Sequence, residues 1–204
     1  YVEVLQNNQI IHRECPTPHK NKGDIFKVYI ELGWGEEPKD TLWDVDFQLE
    51  NGNILGIEPR FRGFGSQGEP EGNNYAYTHW EQHSPTHVHF KTKTRPNPSL
   101  HTPATEGMSF EIEGDHDSQI ILTVNEREYR HPLSDIFQGS RTYYLRGFVS
   151  PAICIHRAVP QTEYQHHFNL NHHHQALQRD WYYVRVRQRN NQWAWSSPIW
   201  LEKP

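Results

Sequence analysis

The sequence has few sulfur-containing residues and no long apolar segment. Its 204 residues include two cysteines and one methionine, and no apolar run approaches the roughly 18 residues that a membrane-spanning helix needs. We therefore expect no membrane span. Cys15 and Cys154 are far apart and form no CxxC motif. For a domain of this size we expect two reduced, buried thiols, with a single disulfide as the alternative.

A surplus of basic residues is also missing. Twenty-five acidic residues outweigh twenty lysines and arginines, which gives a formal net charge of −5 when histidine is neutral. Nucleic-acid binding requires a basic face, so we expect no nucleic-acid partner. The chain has fifteen histidines, and the reference pKa of the side chain is about 6.5, so protonation of about half of them would bring the net charge through zero.

Large aromatic side chains and turn-forming residues are abundant. The chain contains 7 tryptophans, 10 tyrosines and 9 phenylalanines, together with 13 glycines and 14 prolines. This composition favours many short strands over long helices. We predict a soluble, all-β fold, an antiparallel β-sandwich of the immunoglobulin-like kind, with two apposed sandwich subdomains as the alternative. Residues 1–204 then form a single domain, or subdomains 1–66 and 77–204 joined by a Gly-, Glu- and Asn-rich loop.

Alternation and turn signals predict the individual strands. Residues 2–13 form a hairpin, and 41–50 place apolar side chains on one face. Asn51-Gly52 predicts a two-residue hairpin turn, and a second hairpin is predicted over Gly114–Asp117. In the strand near the C-terminus, the predicted core side chains are Tyr182, Val184 and Val186.

The C-terminal residues carry a family resemblance. The segments Tyr182–Gln188 (YYVRVRQ) and Trp193–Trp200 (WAWSSPIW) resemble the end of large bacterial proteins whose N-terminal part is a PHP-type (polymerase and histidinol phosphatase) metal-dependent phosphoesterase domain. The first hairpin and the segment Glu31–Gly35 (ELGWG) are similar to earlier parts of the same β-domain. Asn8 stands where that hairpin usually carries glycine.

The resemblance implies an accessory role. PHP-type chemistry uses divalent metals in a separate α/β barrel, and a barrel needs more than about 200 residues, so none of its ligands is transferred to this chain. We expect a non-catalytic accessory domain that needs no cofactor, has a cytoplasmic location and was excised from a longer protein. Its partner is the missing N-terminal catalytic domain or a second copy of the chain.

Histidine supplies the candidate metal ligands. His87 and His89 share a strand face, and His116 could add a third ligand from a loop. The alternative is an ordinary solvated strand face. Five histidines at positions 166, 167, 172, 173 and 174 form a second cluster, which we interpret as a solvated loop. Cys154 and His156 also share a face, and we interpret that pair as structural.

Tryptophan supplies the candidate binding residues. Trp193 and Trp195 share a face at i and i+2, and Trp34 is a further candidate. Flat aromatic rings on a β-sandwich stack against sugar rings, so the second hypothesis is a stand-alone carbohydrate- or surface-binding module. The alternative is packing against another domain, and we expect at least one of Trp34, Trp193, Trp195 and Trp200 to be exposed. A His-based metalloenzyme is the third hypothesis.

Overall fold

A computed structural model of the chain describes residues 1–15, 25–61, 79–96, 105–172, 179–188 and 193–202. The chain divides into two compact units, 21–162 and the combination of 1–20 with 163–204. This division differs from the predicted subdomains 1–66 and 77–204, because strands on both sides of that boundary pair in one sheet. The predicted loop at 62–76 lies outside the described residues.

In the ranges that the structure describes, unit 21–162 has nine strands in one antiparallel sheet. The strands are β3 (Ile25–Gly33), β4 (Thr41–Pro59), β5 (His79–Ser84), β6 (His87–Thr94), β7 (Thr105–Val124), β8 (Arg127–Pro132), β9 (Arg141–Tyr144), β10 (Ala152–Ile155) and β11 (Val159–Pro160). The order across the sheet is β5-β6-β4-β7-β3-β10-β9, with β8 paired to β7 and β11 paired to β3. A short helix, α1 (Leu133–Gln138), follows β8, and a 3₁₀ turn spans Gln161–Glu163.

Both hairpins predicted inside this unit are wrong. Asn51-Gly52 lies within the continuous strand β4, and Gly114–Asp117 lies within the continuous strand β7. Gly52 is paired with Gly114, and the register of the two strands shifts there as it does at a β-bulge. Asn51 has φ = 59°, a conformation that asparagine tolerates. These turn-forming residues therefore mark a bend in the paired strands β4 and β7, and the chain direction does not reverse at either segment.

The bend folds the sheet over itself. Phe47 is paired with Leu122 in the ladder of β4 and β7, whereas Phe110 is paired with Ile57 beyond the bend. The rings of Phe47 and Phe110 nevertheless stack, with centroids 3.9 Å apart and planes 7° from parallel. The two halves of the sheet therefore face each other across a core, as the layers of an open sandwich do.

The predicted core face of β4 is confirmed. Trp43, Val45, Phe47 and Leu49 are all buried, and the Trp43 indole Nε1–H donates to Thr94 Oγ1 at 2.9 Å. Buried side chains from the other strands and from α1 complete the core; the largest are Phe26, Phe90, Phe110, Ile30, Leu32, Met108, Ile112, Ile120, Leu122 and Leu133.

The other unit, 1–20 with 163–204, contains a five-stranded antiparallel sheet. The predicted first hairpin is confirmed, and its turn residues Asn7 and Asn8 both have positive φ, as a type I′ turn requires. The strands are β1 (Val2–Gln6), β2 (Gln9–Glu14), β12 (Arg179–Arg187), β13 (Trp193–Trp195) and β14 (Ile199–Glu202). Their order is β13-β12-β1-β2, and β14 also pairs with β12.

The prediction that one face of β12 is buried in the core is wrong. Tyr182, Val184 and Val186 are only half-buried, and so are Tyr183 and Arg185 on the opposite face. Alternation in sequence therefore does not translate into alternation of burial in this strand. Of the residues that the structure describes in this unit, the buried ones are Leu5 and the polar residues Glu3, Gln6 and Asp180.

The prediction of an all-β, antiparallel, sandwich-like fold is confirmed, while its immunoglobulin-like character stays a prediction. Among the described residues, no helix has the length and apolar character that crossing a membrane would demand.

Candidate functional site

The predicted binding residues Trp193 and Trp195 lie on one face of the five-stranded sheet. Trp195 is directly opposite Arg185, which is opposite Glu3, and Glu3 is opposite Arg13 on β2. Directly opposed residues in antiparallel strands share a face. A single row therefore runs across four strands with tryptophan at one end and arginine at the other.

Tryptophan rings and arginine guanidinium groups stack against one another on this face. The rings of Trp193 and Trp195 are 5.7 Å apart and 10° from parallel. The guanidinium groups of Arg185 and Arg187 lie over Trp193, 5.4 and 4.8 Å from the ring centroid. Both distances are within the range of cation–π attraction. The edge of Tyr1 contacts Trp193 at a centroid distance of 6.4 Å.

The same pattern continues along β12. Trp181 is paired with Trp200 on β14, and their ring centroids are 5.4 Å apart. The Arg179 guanidinium lies 4.1 Å from the centroid of Trp200. We call this surface the aromatic–arginine face; its members are Arg179, Trp181, Arg185, Arg187, Trp193, Trp195 and Trp200.

A buried carboxylate orders the arginines of this surface. Glu3 accepts hydrogen bonds from Arg13 Nε at 2.8 Å and from Arg185 Nε at 2.6 Å. Burial alone would raise the pKa of Glu3, but the two arginines outweigh it and hold the pKa below the usual glutamate value. Two cations share one anion here, so the arrangement keeps a net positive charge. Sequence reasoning missed Glu3, since alternation assigns a glutamate to the solvent side.

Three tryptophans of the aromatic–arginine face are exposed. The exposed fractions are 37% for Trp193, 59% for Trp195 and 46% for Trp200. The prediction that at least one of these residues is exposed is therefore confirmed. Adjacent exposed rings of this size are unusual on a surface that contacts only water.

Trp34 belongs to a separate patch in unit 21–162. Its ring is 6.1 Å from that of Tyr144, which is 6.0 Å from that of Phe148. Trp34 is 40% exposed and Phe148 is 81% exposed. Phe148 follows Gly147, whose φ of 120° suits a residue without a side chain. The turn therefore presents an aromatic ring to solvent.

The predicted metal ligands His87 and His89 lie on the exposed face of β6. The side chain of each histidine contacts an aspartate of β4. Nothing in the sequence indicates that these aspartates lie beside the histidines. His87 Nε2 is 2.7 Å from Asp46 Oδ1, and His89 Nε2 is 2.7 Å from Asp44 Oδ1. A bulge in β5 brings the ring of His83 to 5.0 Å from His87 and 6.0 Å from His89.

The third predicted ligand is not part of this group. His116 lies in the bend of β7, with its ring edge against Phe137 at 6.1 Å. Across the described ranges, the ligand atoms that come within 4.8 Å of one another belong to Asp44, Asp46 and His89. We call Asp44, Asp46, His83, His87 and His89 the histidine–aspartate cluster.

Similarity to known proteins adds nothing to this geometry. No family model, no curated protein and no solved structure matches the chain. Function is therefore argued from the residues themselves.

Cys154 and His156 form a third polar group, together with a residue that the sequence did not suggest. Cys154 is directly opposite Glu31, and His156 Nε2 is 2.7 Å from Glu31 Oε2. Burial acts to lower the pKa of His156, but hydrogen bonds with Cys154 and Glu31 raise it to about 9. The imidazole is thus held as a cation. Cys154 is half-buried and Cys15 is exposed, so the thiols are free as predicted but not fully buried.

The histidines of the second cluster contact the first hairpin. His166 Nε2 lies 3.5 Å from Glu14 Oε1, and His172 Nε2 is 2.8 Å from Gln6 Oε1. His173 and His174 lie outside the described residues.

Proposed function

We propose that this chain is a non-catalytic accessory β-domain of a larger PHP-type metal-dependent hydrolase, which it contacts through the aromatic–arginine face. The observation that carries the proposal is the exposure of Trp193, Trp195 and Trp200 beside stacked arginines. The resemblance of the segments 182–188 and 193–200 to the C-terminal β-domain of such proteins supports it.

Covering these tryptophan rings with a partner protein would be favourable in free energy. Removing apolar surface from water yields about 25 cal/mol per Å², and tryptophan and arginine are enriched at the centres of protein interfaces. The stacked layers also hold the side chains in place before a partner binds. A rigid surface loses little conformational entropy on association, which favours its use as a docking site.

The charge of the face indicates the kind of partner. Arg13 and Arg185 share the single carboxylate of Glu3, so this part of the surface is cationic. It complements a surface rich in aspartate and glutamate. We assign that surface to the catalytic domain of the same parent protein, with a substrate-positioning or structural consequence, and not to a nucleic acid.

Carbohydrate binding fits a different surface better than the aromatic–arginine face. A sugar needs an uncovered ring face, whereas the ring of Trp193 already stacks with Trp195 and lies under the guanidinium group of Arg187. The patch of Trp34, Tyr144 and Phe148 offers more open aromatic surface. A stand-alone carbohydrate- or surface-binding module is therefore the second candidate function, acting through that patch. Retardation in polysaccharide-containing gels, abolished by Phe148→Ser, would favour it.

The experiment for the main proposal uses the parent protein. Its gene should encode a PHP-type barrel upstream of this chain, and the separately expressed barrel should bind the 204-residue chain in a calorimetric titration. Trp195→Ser removes the most exposed ring of the face, and we expect it to weaken binding at least about tenfold, the cost of a hot-spot residue.

A matched control is available in the other unit. Trp80 on β5 has a comparable exposed fraction, 41%, but lies outside the aromatic–arginine face. Trp80→Ser should leave the affinity unchanged. A parent gene without a barrel segment, or equal losses for the two variants, would contradict the proposal.

Two further elements belong to the same proposal. The divalent metal of the parent enzyme would be held by the barrel, so this chain supplies contacts and no catalytic ligand. A cytoplasmic location is consistent with Cys15 and Cys154 being free thiols.

A further inference from the structure

We propose that Asp44, Asp46, His87 and His89 form a zinc-binding site on the exposed face of β4 and β6. This inference goes beyond the accessory role and does not depend on it, because the residues belong to unit 21–162, whereas the aromatic–arginine face belongs to the other unit.

The register of three strands assembles the site. Asp46 on β4 is directly opposite His89 on β6, which is directly opposite Glu81 on β5. Asp44 and His87 lie two residues away on the same face. The alternate residues Val45, Val88 and Phe90 point into the core and are fully buried. The packed core thus fixes the backbone from which the ligands project.

The distances suit a small cation. Zinc binds imidazole nitrogen and carboxylate oxygen at about 2.0–2.2 Å in tetrahedral geometry, which places neighbouring ligand atoms about 3.3 Å apart. The two His–Asp pairs are each 2.7 Å apart, and the ligand atoms of Asp44, Asp46 and His89 all lie within 4.8 Å of one another. His87 is not one of these three and contacts the group through Asp46, so its side chain must rotate toward Asp44 and His89 to complete a set of four ligands.

The ligand chemistry selects the metal class. Two imidazoles with two carboxylates are borderline donors, which suit zinc, copper or nickel better than calcium or magnesium. Four protein ligands leave no open position, so the ion would cross-link β4 to β6 instead of activating water. His83 lies 5.0 Å from His87, ring centroid to ring centroid, and can replace it as a ligand.

Lys91 opposes metal binding. Its Nζ donates to Asp44 Oδ2 at 2.8 Å, so a cation already contacts one of the ligands. Burial acts to raise the pKa of Asp44, but Lys91 and His89 outweigh it and lower the pKa. A zinc ion must compete with the ammonium group and is repelled by it. Removing that positive charge should therefore tighten zinc binding.

The test is a Zn²⁺ titration of the 204-residue chain in competition with a chromophoric chelator. The comparison is between wild type and the double variant Asp46→Asn, His89→Gln. Histidines 166–174 are present in both proteins, so their contribution cancels. We expect the double variant to bind one ion fewer. Cobalt bound to the wild type should also give the intense visible absorption of a tetrahedral site, and the double variant should lose it.

Two single variants make the result specific. Lys91→Gln should bind the same ion about tenfold more tightly, a gain that misfolding cannot produce. His116→Gln, at the position that the sequence suggested as third ligand, should bind as the wild type does. Equal numbers of bound ions in wild type and the double variant, weaker binding by Lys91→Gln, or a lost ion in His116→Gln would each overturn the site.

Discussion

Glu3 and Arg185 lie directly opposite each other on β1 and β12, and Arg185 Nε–H donates to the buried carboxylate at 2.6 Å. Arg13 contacts the same carboxylate from β2. Three strands from both ends of the chain are thus joined through one glutamate. Breaking a buried ion pair by removing one partner is costly, because the remaining charges stay uncompensated.

Glu3→Gln should therefore lower the melting temperature of the unit formed by 1–20 and 163–204. The pKa of Glu3 is held below its ordinary value of 4.5, so its contribution is present above about pH 4.5 and is lost as the pH falls through the lowered pKa. The difference between variant and wild type should shrink in acid. Thermal unfolding followed by tryptophan fluorescence between pH 3 and 7 measures it.

Glu58 provides the control for that experiment. It also pairs with two cations, Lys27 and Arg60, but its side chain is 45% exposed. Exposed ion pairs contribute little, so Glu58→Gln should change the melting temperature only slightly. Similar losses for the two variants would mean that burial does not determine the strength of the Glu3 contacts.

The stacking of Phe47 on Phe110 predicts strong coupling across the core. Each single change to alanine should cost about 3–5 kcal/mol in the free energy of unfolding, and a double-mutant cycle should yield about 0.5–1.5 kcal/mol of coupling. Urea denaturation measures both quantities. Phe148→Ala, at an exposed position, should stay within about 0.5 kcal/mol of wild type. Strict additivity of the two core changes would show that the halves of the sheet do not meet there.

The bend of the long strands depends on Gly52. A Cβ at this position would collide with the carbonyl oxygen of Glu113 and lie 2.7 Å from a Leu49 methyl group, so Gly52→Ala should destabilise by about 1–3 kcal/mol. At Gly56, in the same strand, a Cβ would lie an ordinary 3.5 Å from its nearest neighbour. Gly56→Ala should be neutral or stabilising by up to about 1 kcal/mol. Denaturant midpoints compare the two, and equal effects would exclude a steric role for Gly52.

His156 should make stability depend on alkaline pH. Its pKa is raised from 6.5 to about 9, so the imidazolium contributes fully below pH 6.5 and its contribution is lost as the pH rises through 9. The loss is on the order of 3 kcal/mol, at about 1.36 kcal/mol per pKa unit. Urea unfolding of wild type and His156→Gln across this range measures it. A wild-type profile as flat as that of His156→Gln would contradict the role of Glu31 and Cys154.

An accessory domain should not hydrolyse phosphoesters. The 204-residue chain should release 4-nitrophenol from bis(4-nitrophenyl) phosphate no faster than buffer does, with or without Mn²⁺ or Zn²⁺. The physical reason is that, in the proposed accessory role, the catalytic metal ligands belong to the separate barrel. Metal-dependent turnover that disappears with His87→Ala would contradict it.

Sequence patterns correctly predicted those features that depend only on residues close together in the chain. Alternation of apolar and polar residues identified the buried face of β4. The i, i+2 spacing placed His87 on the same strand face as His89, and Trp193 on the same face as Trp195. The side-chain period of a strand is a local property of its backbone, so it can be predicted without knowing the partner strands.

The tertiary structure decided what depends on partners distant in sequence. Asn51-Gly52 has the composition of a hairpin turn, but it becomes a bend because Gly114, 62 positions later, pairs opposite Gly52.

The registers of different strands placed Asp44 and Asp46 beside the histidines, and Arg185 between Trp195 and Glu3. A glutamate in an alternating strand is expected in water. Glu3 is buried because two arginines from other strands neutralise it, and that pairing exists only in the folded sheet.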